Sequence, residues 1–247
     1  PYTDAGSSVG LSYDTGYVQY WNNGYTGAGI GVALIDSGVT PVPSLAASGK
    51  VLYGPDFTPT GYFSQQRGLD GLGHGTFMAG IIAGRNPAAS APYINSAAFV
   101  GVAPDAHIVS VKVRDYTGTT TESAVIAGMQ WAVQHRGDAG LNIKVMNLSL
   151  GIRDGLPYTM DPLDAAAEAA WNSGITVVAA AGADGRAGLV APANDPYVIA
   201  VGAVDGGDTI SVSDDKVASF SDVGDGHRNP DIAALGTHIV SLRVPGS

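Results

Sequence analysis

The sequence predicts an α/β fold, a mainly parallel central sheet with helices on its faces, and three observations carry that expectation. Gly31-Val32-Ala33-Leu34-Ile35 and Ile175-Thr176-Val177-Val178-Ala179-Ala180-Ala181 are near-continuous apolar runs of strand length. Strands covered on both sides have this pattern, whereas a half-exposed strand alternates. Between residues 108 and 203 such runs are separated by helical segments, giving strand, helix, strand, helix, strand. That succession builds parallel sheets, because a parallel connection needs a crossover. The runs also end close to glycines, at Gly38, Gly151 and Gly182, and open parallel sheets keep their functional groups where strands finish.

Residues 1–29 are rich in Gly, Tyr, Asn and Thr, with helical character only in Tyr17-Val18-Gln19-Tyr20-Trp21, and read as a surface arm. The first strand follows and ends in Asp36. Pro41, Pro43, Pro55 and Pro59 then exclude a helix, so a loop with a short strand near 50–53 is expected. Residues 73–84 carry small and apolar side chains over helical length, with His74 near the start. A loop over 86–99 leads to the alternating strand 108–113. Thr119-Thr120-Thr121-Glu122 fits a capping box opening a helix in which Val125, Gly128, Trp131, Ala132 and His135 recur at helical spacing. Trp131 and Trp171 are expected in the core.

The strand 143–151 comes next. Asp161-Pro162-Leu163-Asp164 supplies an N-cap, a proline at the first helical position and an acid in the first turn, and Gly174 stops that helix. Strands 175–182 and 197–203 complete an α/β core over 30–204. Residues 205–247 change to short strands and turns, expected at 209–212, 217–221 and 238–242, with no closing amphipathic helix. One domain accommodates all 247 residues.

The formal net charge is −10, from 22 acidic against 12 basic residues, and a field of that sign repels phosphate backbones and anionic lipid. Nucleic acid and membrane are therefore not expected partners, and the apolar runs are too short for a membrane span. There is no cysteine, which excludes disulfides, thiolate nucleophiles and sulfur-ligated metals. Pro1-Tyr2-Thr3-Asp4 lacks the basic start and apolar segment of a secretory signal, so the chain reads as mature or trimmed. Few lysines with abundant Gly, Ala, Ser, Thr and Asp suit a secreted enzyme, while the absence of cysteine is equally compatible with the cytosol.

A carboxylate at a strand end, Asp36, and a histidine at a helix start, His74, are the candidate chemical groups. Alone, Asp36 before Ser37-Gly38 is equally a turn cap. As a pair the two have a purpose: a hydroxyl nucleophile needs a base, and the base needs a carboxylate to fix its tautomer and stabilise the imidazolium. Ala33-Leu34-Ile35-Asp36-Ser37-Gly38-Val39 and Gly73-His74-Gly75-Thr76-Phe77-Met78-Ala79-Gly80 resemble the segments holding the catalytic aspartate and histidine of the subtilisin-like serine peptidases, the subtilases. Gly101-Val102-Ala103-Pro104, Val145-Met146-Asn147-Leu148-Ser149-Leu150-Gly151, residues 177–182 and 198–204, and Ala218-Ser219-Phe220-Ser221 resemble further family segments, so the likeness covers nearly all of 25–245.

The resemblance implies a three-layer sandwich, a mainly parallel central sheet with helices on both faces, and peptide-bond hydrolysis by a Ser-His-Asp triad. Asp36 would orient His74, and His74 would act as general base and then acid. Gly118, Thr119 and Thr120 on one side, and Ser149, Leu150 and Gly151 on the other, would pair with an extended substrate strand. Ala180 and Gly182, within 179–182, would border the pocket for the residue before the cleaved bond.

Two features depart from the family pattern. The family's serine lies in a Gly-Thr-Ser-Met-type sequence opening a long buried helix, shortly after the region resembled by 233–246, and this sequence stops at Ser247. The domain is therefore expected to be incomplete at its C-terminus, with the serine on a separate or missing segment. Ser247 lacks the flanking Gly-Thr, and Ser149 and Ser221 belong to other segments. Secondly, Ala183 occupies the position where the family commonly has an Asn that donates to the oxyanion, a donor whose loss in subtilisin costs about 10²–10³ in turnover. Asp184 is a poor substitute, because a carboxylate repels an oxyanion.

Two functions follow: a serine endopeptidase completed by a C-terminal companion fragment, the chain alone being inactive, or a catalytically inactive pseudo-protease that binds peptides. Peptide or protein substrates are the implied partners, and the location implied is extracellular. No metal or cofactor is required. Calcium (Ca2+) is possible at Asp205, Asp208, Asp214 and Asp215, or at Asp4 and Asp14, although these read as solvated loop charge without ordered ligand spacing. His107, His135, His227 and His238 lack motif context and read as structural or surface residues.

Overall fold

The structure, a computed structural model, describes residues 16–63, 65–93, 98–207 and 212–245. Its centre is an eight-stranded sheet in the order β2 (Val51–Asp56), β3 (His107–Lys112), β1 (Gly31–Asp36), β4 (Ile143–Leu148), β5 (Thr176–Ala180), β6 (Ile199–Asp205). Two short strands, β7 (Lys216–Val217) and β8 (Ile232–Leu235), both join β6. Every pairing is parallel except β6 with β7. β1 lies between β3 and β4, and all six of its residues are buried, as its unbroken apolar run predicts.

Helices cover both faces. On one, α2 (His74–Ala83) packs with Val32, Leu34 and Ile108; on the other, α3 (Glu122–Gln134) and α4 (Pro162–Asn172) pack with Ala33, Ile35, Val111, Met146 and Val177. Side chains alternate along a strand, so Asp36, in phase with Val32 and Leu34, belongs to the α2 face. The short α1 (Val18–Asn22) ties part of the expected arm to the body. Trp21 is buried beside Tyr93 and donates to the Val102 carbonyl at 2.9 Å; residues 1–15 of the arm lie outside the described residues.

Coverage of the two faces is unequal. Toward α3 and α4, Met146, Leu148, Val177, Ala179 and Ala200 are fully buried. Toward α2, the aligned row Val145 and Asn147, Val178 and Ala180, Val201 and Ala203 is only half-buried, and Ile232 at its far end is 55% exposed. On that side Val145 joins the cluster under α2, whereas Val178, Ala180, Val201 and Ala203 of β5 and β6 belong to no buried cluster of the described residues.

Several local expectations need correction. The helix expected to open with a Thr119 capping box starts two residues later: the Thr121 hydroxyl accepts from Ala124 N–H, and Glu122 is the first helical residue. Thr119 is held instead by the Asp115 side chain, which accepts its N–H at 3.0 Å. Residues 238–242 form no strand, because Ser241 donates to the Phe77 carbonyl and Leu242 is buried against α2. The strand of this region is β8, whose Ala-rich, exposed sequence carries little strand signal. Only Lys216–Val217 pairs near the expected 217–221, and most of 209–212 lies outside the described residues. Trp171 is 38% exposed, and Trp131 is half-buried and stacked on His135.

The start of α4 is built as the sequence indicates, with Asp161 accepting from Leu163 N–H and Gly174 (φ +83°) following its end. It also buries an unusual charge cluster. Asp164 is fully buried with neither oxygen hydrogen-bonded, and one oxygen of Asp161 and one of Asp195 are likewise unpartnered. Burial first, then the Asp161 and Asp195 carboxylates, push Asp164 from 3.8 to about 8; burial pushes Asp195 up to about 6. The folded chain thus holds a proton that an unfolded chain has released. The stability this gives is complete below about pH 4 and is withdrawn as pH rises toward about 8. The Asp164→Asn amide keeps the shape of the side chain and cannot ionise. At about 1.4 kcal/mol per pKa unit over a shift of about four units, it is expected to stabilise the fold at about pH 8 by up to about 5 kcal/mol, and to flatten the decline between about pH 5 and 8. Thermal unfolding at the two pH values checks this.

Candidate active site

β1 carries Asp36 to the sheet's carboxyl edge, and α2 begins at His74 beside it. His74 Nδ1 lies 2.8 Å from both oxygens of Asp36, which is fully buried. A carboxylate only accepts, so Nδ1 carries the proton and a neutral imidazole keeps its lone pair on Nε2. The Asp36 side chain also accepts the Ser37 N–H at 2.7 Å, while its carbonyl accepts from Val113 and Arg114 N–H. Lys112 stands opposite Asp36 in the β1–β3 register. It is buried, donates to the Thr60 hydroxyl and the Leu69 carbonyl, and pairs with Asp56 at 3.8 Å. Burial alone would raise Asp56, but hydrogen bonds from Thr58 and Gly68 and the Lys112 charge outweigh it and hold the carboxyl low. Lys112 is therefore neutralised on its own side.

Three residues that the sequence reading passed over fix the approach of His74. Asp70, buried, accepts from the N–H groups of Leu72, Gly73 and Thr76, from the Thr76 hydroxyl at 2.7 Å and from the Ser37 hydroxyl at 2.9 Å. Ser37 in turn accepts the Gly75 N–H at 2.9 Å, so one carboxylate locks the turn after β1 to the first turn of α2. Gly75 is required by contact: a Cβ there would run into the Gly38 carbonyl oxygen. The available signal was an acid four residues before His74 in a glycine-rich loop, with a threonine two residues after it.

The expected groove edges follow β3 and β4, the two strands that flank β1. Gly118 (φ +85°) gives its N–H to the Asp115 carbonyl, and its own carbonyl accepts from Arg114 Nε; Thr119 N–H goes to the Asp115 side chain. Thr120 anchors its hydroxyl on the Val113 carbonyl, and among the described residues its backbone N–H and carbonyl have no partner. Opposite, Ser149, Leu150 and Gly151 run on from β4 past its last pair with β5 and make no backbone turn hydrogen bonds among the described residues. The Ser149 hydroxyl accepts from Asn147 and approaches the Met78 sulfur at 3.4 Å. Gly151 faces Val190 so closely that a Cβ would overlap it.

Ala180 ends β5, and Gly182 (φ +124°) leaves no room for a Cβ against Asp222. Asp222 is fully buried and accepts from Asp184 N–H, from Arg186 N–H at 2.8 Å and from the Arg153 guanidinium. Arg153 also donates to the Gly188 carbonyl and lies 3.7 Å from Asp184. The loop bearing Ala183 is thus held from beneath, with Ala183 exposed and Asp184 turned to Arg153.

The remaining candidates are apart from this constellation. His107 bonds the Leu141 carbonyl, His135 pairs with Asp138, and His227 sits in the exposed turn of Asp225. Asp205 accepts from Gly207 and Thr237; Asp4, Asp14 and Asp208 lie outside the described residues. Among the described residues no three acidic or histidine side chains converge where a cation could sit. No helix of the described residues is long and apolar enough to cross a membrane.

Residues 27–246 match the Subtilase family, Peptidase_S8. Serine protease AprX of Bacillus subtilis (strain 168) is 38% identical over 231 residues, which are 90% of this chain and 49% of AprX. Subtilisin NAT of Bacillus subtilis subsp. natto is 38% identical over 230 residues, 91% of this chain and 51% of that protein. The chain thus spans about half the length of these curated relatives. Among solved structures, a cold adapted subtilisin-like serine proteinase superposes with a TM-score of 0.66 at 30% identity, covering 89% of this chain and 67% of its own. With a parallel sheet that joins an aspartate at a strand end to a histidine opening a helix, and a match along nearly all of its length, the chain belongs to the subtilase family of serine peptidases.

Proposed function

We propose that residues 1–247 are the aspartate- and histidine-bearing part of a serine endopeptidase whose nucleophile comes from sequence outside them. The observation that carries this reading is the buried Asp36 carboxylate gripping His74 Nδ1 at 2.8 Å. With Nδ1 so engaged, Nε2 takes the proton of an attacking serine hydroxyl and later returns it to the leaving amine, while Asp36 stabilises the imidazolium between the two steps. The half-buried apolar row Val178, Ala180, Val201 and Ala203 over β5 and β6 supports a further segment packing on that side. A peptide would lie extended between Thr120 and the segment Ser149–Leu150–Gly151, adding a strand, with Ala180 and Gly182 beside the residue before the cleaved bond. An extracellular location accompanies this reading.

Residues 1–247 alone are expected to hydrolyse nothing. A fluorophosphonate probe tests this: labelling is expected in the complete gene product and absent from purified residues 1–247. Labelling of the latter would overturn the assignment of the serine to other sequence. Intact mass of the native protein would reveal a companion fragment. Ala183 favours a second reading, a peptide-binding pseudo-protease, because its methyl group donates nothing to an oxyanion. Peptide binding without any probe-reactive serine in the complete product would select it.

A further inference from the structure

We propose that Arg114 selects peptides carrying an acidic side chain among the residues preceding the cleaved bond. This rests on the groove proposed above and adds the chemistry of what lies in it. Arg114 follows β3 directly after Val113, and its N–H donates to the Asp36 carbonyl, so its backbone is fixed to the strand end that carries the catalytic carboxylate. Its side chain turns toward the groove edge. Nε donates to the Gly118 carbonyl at 3.2 Å, and Nη2 lies 3.4 Å from where a Gly118 Cβ would stand. Leu72, two residues before His74, approaches the same point at 3.6 Å. The guanidinium therefore borders the space between the Gly118 turn and the loop leading to His74.

Its charge is not met by any described residue. Arg85 pairs with Asp105, Arg153 with Asp222 and Asp184, and Arg228 with Asp231. Arg114 forms no ion pair with any described residue. The carboxylates near it in the chain are occupied: Asp36 by His74 and Ser37, Asp70 by the α2 turn, and Asp115 by the N–H groups of Thr117 and Thr119 and the Thr117 hydroxyl. Anchoring through Nε leaves the two Nη groups as a fixed fork, the geometry that receives a carboxylate through two charge-assisted hydrogen bonds. Fixing the fork beforehand lowers the entropy cost of that contact. A chain of net charge −10 otherwise disfavours acidic peptides, so a preference for them has to arise locally.

The test uses the complete gene product and internally quenched peptides in which Asp, Glu, Asn or Gln is placed in turn at each of the four positions before the cleaved bond. At one position the acid is expected to exceed its isosteric amide in kcat/KM by about tenfold. In Arg114→Met that ratio should fall to one or below, Arg114→Lys should keep part of it, and Arg114→Glu should invert it. Because the ratio is taken within each variant, a general loss of folded protein does not mimic the effect. Cleavage with no acid preference at any position would overturn the role of Arg114 and leave the peptidase reading intact. If no peptide is cleaved, the same peptides, fluorescently labelled, report binding: an acid preference lost in Arg114→Met supports the proposal, equal binding overturns it, and no binding at all removes the groove and the proposal together.

Discussion

Asp36→Asn in the complete protein is expected to lower kcat by about 10⁴ with little change in KM or in unfolding temperature. The amide is nearly isosteric, and its oxygen can still accept the Ser37 N–H that now reaches Asp36 at 2.7 Å. Its NH2 group would then face His74 Nδ1, which is 2.8 Å from both oxygens. A donor there forces Nδ1 to accept, so the proton moves to Nε2 and the nitrogen meant to receive the serine proton is already protonated. The imidazolium also loses its counter-charge. Steady-state kinetics with a peptide substrate, alongside a thermal melt, separate this from unfolding. A loss below about tenfold in a folded variant would remove Asp36 from the chemistry.

Ala183→Asn should act in the opposite direction, raising kcat by about 10²–10³. Preorganisation of the loop is the reason for expecting so large a gain from one side chain. Gly182 packs on Asp222, whose carboxylate receives the N–H groups of Asp184 and Arg186, and Arg153 clamps the same carboxylate and the Gly188 carbonyl. Ala183 is therefore presented on a fixed loop, exposed, next to the end of β5. An Asn donor placed there needs little reorganisation when charge develops on the substrate oxygen. Burst kinetics on parent and variant measure the effect. A probe-reactive serine with unchanged turnover would show that residue 183 does not face the oxyanion.

Much of this arrangement was legible in the sequence because the signals were local. An unbroken apolar run gives β1, and Asp161-Pro162 with Gly174 marks both ends of α4. The segments around Asp36 and His74 were likewise readable, since each is a compact motif. What escaped depends on contacts between distant residues. Asp70 looks like loop charge until the fold sets Ser37 against it, and Asp222 looks like one more surface acid until Gly182 and Arg153 close around it. The capping box at Thr119 was a plausible local solution overridden by the Asp115 turn. β8 was missed for a further reason: an Ala-rich exposed edge is chosen by its partner β6, and has little strand preference of its own.

The central place of β1 also has a kinetic meaning. Gly31 pairs with His107 on one side and Ile143 on the other, so this buried, largely apolar strand is made before both of its partners and must wait for sequence encoded well after it. Long-range parallel pairing of this kind is slow, and an unpaired apolar strand is open to wrong partners meanwhile. A charge flanking such a strand is the usual gatekeeper against self-assembly. Asp36 ends this one. The carboxylate interrupts this apolar segment before it acquires an imidazole to orient.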